Sequence, residues 1–374
     1  MRKIKISQVD AIFVDGSYPI EFLFFYKSRL EAKKIRTALG RLSSDFWPIF
    51  GEYDSGMICF DSYSEIDCFD EEVSDQKFDE KETNKNLHEM YCQISPSKMK
   101  KLFFLKVIQH KNGTVLIPRM NHLAGDGYSY FYFLSTLAAL SLDTHIPFRK
   151  KIIRTLYKPH HRRTILREFQ FNRGGLEPLQ DKGKFTVEVE EISRTVIRGV
   201  IRNVASDLNL RISSNDILSA MATKRLAKIQ KDNFGEDFQL TIPIDVRKQI
   251  KDYGSNFFGN GIMLMGINFK TKDIEELSIN EMAVEIRKSL PNITKESYID
   301  YLCGLEAVIA RGQMNELRPY DPKRGCLVTN LSKLPVHRLD FGSGIPDLIF
   351  PLTIERNSTA ILSNKENFVL RFAY

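Results

Sequence analysis

Asn121-His122-Leu123-Ala124-Gly125-Asp126-Gly127 follows directly on an apolar stretch, and its reading decides the rest. Upstream, Lys101–Gln109 and Thr114–Asn121 are both rich in apolar residues and are joined across Asn112-Gly113, a strong short-range hairpin signal. His122 then falls where the second strand ends. Downstream, Tyr130, Phe133, Leu134, Leu137 and Ala138 describe one buried helical face. The local order is strand, glycine-bounded loop bearing a histidine and an aspartate, then helix. A turn imposed by Gly125 and Gly127 would hold His122 at the mouth of a cleft. An imidazole there is suited to act as a general base, because histidine titrates nearest neutral pH.

The 374 residues are too many for one ordinary core, so two halves are expected. Lys and Arg exceed Asp and Glu by 54 − 47 = 7. That mild excess suits an anionic small ligand, an acidic carrier protein or nucleic acid, and does not choose among them. The five cysteines (Cys59, Cys68, Cys92, Cys303 and Cys326) are scattered, and neither they nor the histidines have metal-ligand spacing. No metal and no tightly bound cofactor are expected. The first residues lack a signal-length apolar core and no run reaches membrane-spanning length, so a reduced, cytoplasmic protein is the expectation.

Further elements follow from periodicity. Leu30, Ile35, Leu39, Leu42 and Phe46 predict a helix within 28–46, closed by Pro48 and Gly51. The acidic stretch 65–82 reads as a solvated surface loop. Arg149–Arg163, with seven basic and no acidic residues, reads as a solvated face or an anion-binding patch. Asn172–Gly183 reads as a linker. A strand at Lys184–Ile192 and a helix carrying Ile197, Val200, Ile201 and Val204 open the second half. Ser213-Ser214-Asn215-Asp216 offers N-cap chemistry for another helix. Strands are expected at 238–244, Ile262–Phe269, Cys326–Leu331, Leu352–Glu355, Thr359–Leu362 and Phe368–Phe372. The fold class is mixed α/β.

Five segments, in order, are similar to a known family. The first is Arg36–Gly51, which resembles the early helix and the "FYPLAGRL" turn of the BAHD acyltransferases. His122–Gly127 resembles their HxxxDG motif, and Ser213–Ala220 their S-x-N-D-V-L-x-A helix start. Ile244-Asp245-Val246-Arg247 with Phe257-Phe258-Gly259-Asn260 resembles "DxR…YFGN". Thr329–Pro335 with Asp340-Phe341-Gly342-Ser343-Gly344 resembles "TSWxxLP…DFGWG". Asn121 replaces the first histidine of the common HH pair, Ser343 replaces a tryptophan, and the tryptophan expected near Leu331 is absent.

The resemblance implies two chloramphenicol-acetyltransferase-like domains, each a mixed sheet flanked by helices, with the active-site channel at their interface. The expected division is 1–172, a linker at 173–183, and 184–374. An acyl-CoA co-substrate would donate to a small-molecule alcohol or amine, with His122 as general base and no covalent acyl-enzyme. Asp126 is expected to pair with Arg247, and Gly127 to serve backbone geometry or close packing at the helix entrance. Thr329 and Asn330 are candidates for the oxyanion or acceptor side. Ser213, Ser214, Lys224 and Arg225 are candidates for the donor CoA; for the helix start, simple capping is an equal reading. Asp340, Phe341, Gly342 and Gly344 are expected to form a structural loop. The alternatives are a donor on an acyl carrier protein, met by Arg149–Arg163, and a non-catalytic binding protein that kept the fold. Both halves of the site lie in one chain, so no second subunit is required.

Overall fold

The computed structural model describes residues 1–14, 19–81, 101–144, 169–173, 186–208, 210–229, 235–250, 257–290, 292–353 and 355–374. The expected basic stretch at 149–163, nearly all of the expected linker, and Cys92 lie outside these residues.

Two sheets organise the chain. The first runs in the order Leu348–Pro351, Ile20–Tyr26, Gly113–Met120, Phe103–His110 and Phe69–Val73. Its pairs are antiparallel except the last. The Asn112-Gly113 hairpin forms, with His110 opposite Gly113. Within Ile20–Tyr26, Phe22–Tyr26 reads as an unbroken apolar run because both faces of the strand are covered. Phe22, Phe24 and Tyr26 enter the main core, while Leu23 and Phe25 join a smaller cluster with Ile108, Val115 and Ile117.

The second sheet has the order Ile262–Lys270, Asp237–Asp245, Gly325–Asn330, Ser358–Ser363, Asn367–Ala373 and Val187–Ser193. Gly325–Asn330 is parallel to both of its neighbours. The helices Ser214–Ile229 and Ile279–Ser289 pack together over a core containing Leu218, Leu226, Leu240, Met282 and Leu370. On the first sheet, the helices Ala32–Leu42 and Gly127–Ser141 play the same part.

Two sequence readings are corrected and two helices are added. The acidic segment after residue 65 is not all loop: Glu65–Cys68 is a helical turn and Phe69–Val73 an edge strand. Buried Cys68 and Phe69 anchor it, while Glu71, Glu72 and Val73 remain exposed. The strand expected at Leu352–Glu355 lies earlier, at Leu348–Pro351, because its partner is Ile20–Tyr26 of the first sheet. The second half therefore returns a strand to the first sheet. The helices Ile279–Ser289 and Lys295–Ala310 were not read from the sequence; each begins with a capping box, on Ser278 and Thr294. Among the described residues, no helix is long and apolar enough to cross a membrane.

The main core does not respect the two halves. Val246, Phe257, Phe258, Met263 and Met265 pack in the same cluster as Leu123, Tyr130 and Phe133. The segment carrying Arg247 and Asn260 is thereby brought against the loop carrying His122.

Candidate active site

The Gly113–Met120 strand ends beside Asn121, whose side chain accepts from the Leu123 amide at 3.0 Å and caps the short turn His122–Ala124. Gly125 is extended, with φ 164°, so the turn is not held by a left-handed glycine. What Gly125 permits is close approach, since a Cβ there would meet Ser129 Cβ at 2.9 Å. Gly127 is different: an added Cβ would meet only Leu331 Cδ2, at 3.9 Å. The packing role expected for Gly127 belongs to Gly125 instead.

The His122 ring stacks on Phe13, with centroids 3.9 Å apart and planes 19° from parallel. Phe13 comes from the turn Asp10–Phe13, which the sequence reading left without a role. Burial lowers the His122 pKa below its ordinary value, outweighing the opposing influence of Asp126, Asn260 and Asp10. The neutral imidazole, the form a general base needs, is therefore the resident one at pH 7.

Asp126 is the N-cap of the Gly127–Ser141 helix, its Oδ1 accepting from the Ser129 amide at 3.0 Å. The same carboxylate meets Arg247 at two points, Nη2 to Oδ1 at 2.9 Å and Nη1 to Oδ2 at 2.8 Å. The Gly261 amide also donates to Oδ2 at 2.8 Å. Both side chains are buried. Burial opposes the Asp126 charge, but Arg247 and the two amides outweigh it and hold the carboxyl below its usual range. Arg247 further donates to the carbonyls of Phe257 and Gly259 and lies over the Tyr128 ring. Nη1 also donates to Asp245 Oδ1 at 3.2 Å, so the guanidinium is nearly saturated, with buried Asp126 and half-exposed Asp245 as its counter-ions.

Asn260 also belongs to this site. Its Nδ2 donates to the His122 carbonyl and to Asp10 Oδ1, both at 2.8 Å. Asp10 is fully buried and accepts from the Ser7 amide at 2.7 Å. The Phe-Gly-Asn run was the available signal for Asn260; nothing in the sequence marked Asp10.

Across from the histidine turn, Leu331 follows the Gly325–Asn330 strand and faces Gly127. Thr329 lies on that strand, opposite Ala360. Asn330 donates to Asn215 Oδ1 at 2.8 Å and accepts from Ser332, tying the strand end to the Ser214–Ile229 helix. Ser213 caps through Asp216, its amide and hydroxyl both reaching Oδ2, and Arg287 clamps the pair. Ser214 is the first residue of that helix. Lys224 donates to the carbonyls of Ile274 and Leu277, and Arg225 is paired with Glu188 and Glu190. Both cations expected to meet nucleotide phosphates are engaged within the fold, so we assign them no donor contact. Asp340 Oδ1 accepts from the Gly342 and Gly344 amides, both glycines have positive φ, and Phe341 packs against Tyr26. That loop is structural.

Ile12, Phe171, Thr241, Leu264, Tyr301 and neighbouring residues line a small recess of about 20 Å³, room for about one water molecule. Thr241 Oγ1 is buried there with no hydrogen-bond partner among the described residues. No group of three or more His, Cys, Asp or Glu side chains among those residues could hold a metal ion.

A family model described as "Transferase family" matches residues 1–367. The chain is 24% identical over 366 residues to omega-hydroxypalmitate O-feruloyl transferase of Arabidopsis thaliana, covering 89% of this chain and 76% of that protein. In fold it is similar to F. graminearum TRI101 in complex with coenzyme A and deoxynivalenol (TM-score 0.74, 14% identity, 100% of this chain and 95% of that one). Vinorine synthase is also similar (TM-score 0.71, 16% identity, 100% and 90% covered). The fold is that of these acyltransferases, a mixed α/β architecture with two chloramphenicol-acetyltransferase-like domains. The chain belongs to the Transferase family, the BAHD acyltransferases.

Proposed function

We propose that this protein moves an acyl group from a CoA thioester to a hydroxyl or amine of a small-molecule acceptor, with His122 as the general base. The observation that carries the reading is the neutral, stacked His122 imidazole beside an Asp126 already committed to Arg247. The relatives support the donor class: TRI101 was solved with coenzyme A, and the Arabidopsis relative is named for an O-acyl transfer. His122 takes the proton as the acceptor oxygen or nitrogen attacks the thioester carbonyl. When the carbon–sulfur bond breaks, the same proton goes to the departing thiolate. The products are free CoA thiol and an ester or amide, and the protein is unchanged.

Thr329 and Asn330 are the oxyanion-side candidates, since the Asn330 Nδ2 group gives one of its two hydrogens to Asn215 while only its oxygen is taken up by Ser332. Ser213 and Ser214 open the helix proposed for the donor side. A reduced, cytoplasmic setting fits Cys59, Cys68 and Cys326, none of which is in a disulfide.

The test is acceptor-dependent release of CoA thiol from a panel of acyl-CoAs, with a fractionated extract as acceptor and His122→Ala alongside. Release that disappears in the variant is expected. No release from any donor by the folded wild type would overturn the reading. Acyl-protein trapped in single turnover before acceptor is added would overturn direct transfer.

A further inference from the structure

We propose that Asp10 is a positioning residue for His122, acting through Asn260; this rests on His122 being the base. The turn Asp10–Phe13 reaches the histidine at two points. At one end the Phe13 ring lies on the imidazole, with centroids 3.9 Å apart. At the other, Asp10 Oδ1 accepts from Asn260 Nδ2 at 2.8 Å, and the same Nδ2 donates to the His122 carbonyl at 2.8 Å. Nδ2 carries two hydrogens, and both are committed. The amide cannot turn without releasing either the carboxylate or the histidine backbone.

The parts of this chain of contacts are fixed independently of His122. Asp10 is fully buried; its Oδ2 accepts from the Ser7 amide at 2.7 Å and its own amide donates to Ser7 Oγ at 3.2 Å. All four residues of the turn are buried, and the Ala11 amide closes onto the Ser7 carbonyl at 3.3 Å. Asn260 is buried too, one residue after Gly259, whose carbonyl accepts from Arg247 at 3.0 Å. Within its own loop the His122 carbonyl closes a single turn, accepting from the Gly125 amide at 3.2 Å. Asn260 adds the contact that ties that carbonyl to the second half of the chain. A backbone shift there carries the ring with it, and a displacement of about 1 Å between base and acceptor can cost about 100-fold in rate. Asp10 thus sets the carbonyl through Asn260 while Phe13 sets the ring plane, so one turn fixes both the place and the tilt of the base.

The experiment is steady-state kinetics of the full chain in the CoA-release assay, with thermal melting alongside. Asp10→Asn keeps the shape of the side chain but offers one oxygen where the carboxylate offers two. It can serve Asn260 or the Ser7 amide, not both. Its kcat should fall about 10- to 100-fold, with KM for acyl-CoA within about twofold of wild type. Asn260→Ala should show the same split, and the double variant should be no slower than the slower single one, because both break one chain of contacts. A merely structural loss lowers the melting temperature and the folded fraction, and leaves kcat per folded molecule unchanged. Folded Asp10→Asn with wild-type kcat overturns the proposal, as do losses that multiply in the double variant. Asp10→Ser supplies the same reading if Asp10→Asn does not fold, and Asn260→Ala with wild-type kcat overturns the proposal whichever Asp10 variant folds. Full activity in His122→Ala would instead remove the base reading, whatever the Asp10 variants do.

Discussion

Asp126 and Arg247, 121 positions apart in the chain, meet through two contacts of 2.8 and 2.9 Å in a buried corner beside the His122 turn. Both carboxylate oxygens are occupied by the guanidinium and by the amides of Ser129 and Gly261. The aspartate stabilises the loop that presents His122 by joining it to the segment that presents Asn260.

Asp126→Asn leaves the buried Arg247 charge with only the half-exposed Asp245, at 3.2 Å, as counter-ion. We expect a loss of about 3–5 kcal/mol in folding stability, the usual consequence of breaking a buried pair from one side. CoA-release activity should fall with it. Urea unfolding followed beside the activity assay checks this; lost activity with an unchanged unfolding midpoint would give Asp126 a part in the chemistry.

Gly261→Ala and Gly127→Ala should behave oppositely. A Cβ at residue 261 would lie 2.8 Å from Arg247 Cζ, which cannot move without breaking its bonds to Asp126. The expected cost is about 1–3 kcal/mol of overpacking. At residue 127 the new methyl reaches only Leu331, in ordinary contact, and alanine is the better helix former. Its melting temperature should be unchanged or slightly higher. Thermal melts of the two variants decide the matter.

The acid limb of kcat/KM should lie below the ordinary histidine value of 6.5, because burial lowers the His122 pKa against the pull of Asp126, Asn260 and Asp10. Activity falls as pH drops through that lowered pKa and the base becomes protonated. Stability changes with the same sign. The unfolded chain takes up this proton near pH 6.5 while the folded chain resists, so stability is present above that pH and is lost as pH falls toward the folded pKa. Asp126, also lowered, adds its own loss in a more acid window, beginning near its ordinary value of 3.8. A pH–rate profile and unfolding midpoints across pH 4–8 measure the two effects separately.

Phe13→Ala should move that acid limb upward. The Phe13 ring covers one face of His122 at 3.9 Å, and removing it admits water to the imidazole. The His122 pKa then returns toward 6.5, at a stability cost of about 3–5 kcal/mol for truncating a buried phenylalanine. An acid limb that stays in place would show that the ring contributes nothing to the desolvation.

Thr241→Val removes a buried hydroxyl that has no partner among the described residues. The substrate-free protein should therefore keep its stability or gain slightly. The recess beside it has room for about one water molecule, so KM for the acceptor and for acyl-CoA should both stay constant. A raised acceptor KM would bring the acceptor to this hydroxyl.

Ile20–Tyr26 and Lys295–Ala310 escaped the sequence reading for a shared reason. Periodicity shows an element only when one of its faces meets water. The strand is covered on both sides, and the helix buries Tyr298, Ile299, Tyr301, Leu302 and Leu305 around most of its girth. Leu348–Pro351 was misplaced because its partner is a strand more than 300 residues away. Hairpin, capping and helical-face signals, by contrast, are local, and they located Asn112-Gly113, His122 at a strand end, and the helix that follows.

The same division runs through the site. The amino-acid sequence by itself determined that a histidine and an aspartate would share one short loop between a strand and a helix, because turn chemistry and capping act over a few residues. It could not determine what each would touch. Arg247 closes on Asp126 across 121 positions and Asn260 on Asp10 across 250. Lys224 and Arg225, free in a linear reading, are held by backbone carbonyls and by Glu188 and Glu190. A polar side chain takes whichever partner the fold leaves within about 3 Å, and only the tertiary structure decides which groups come that close.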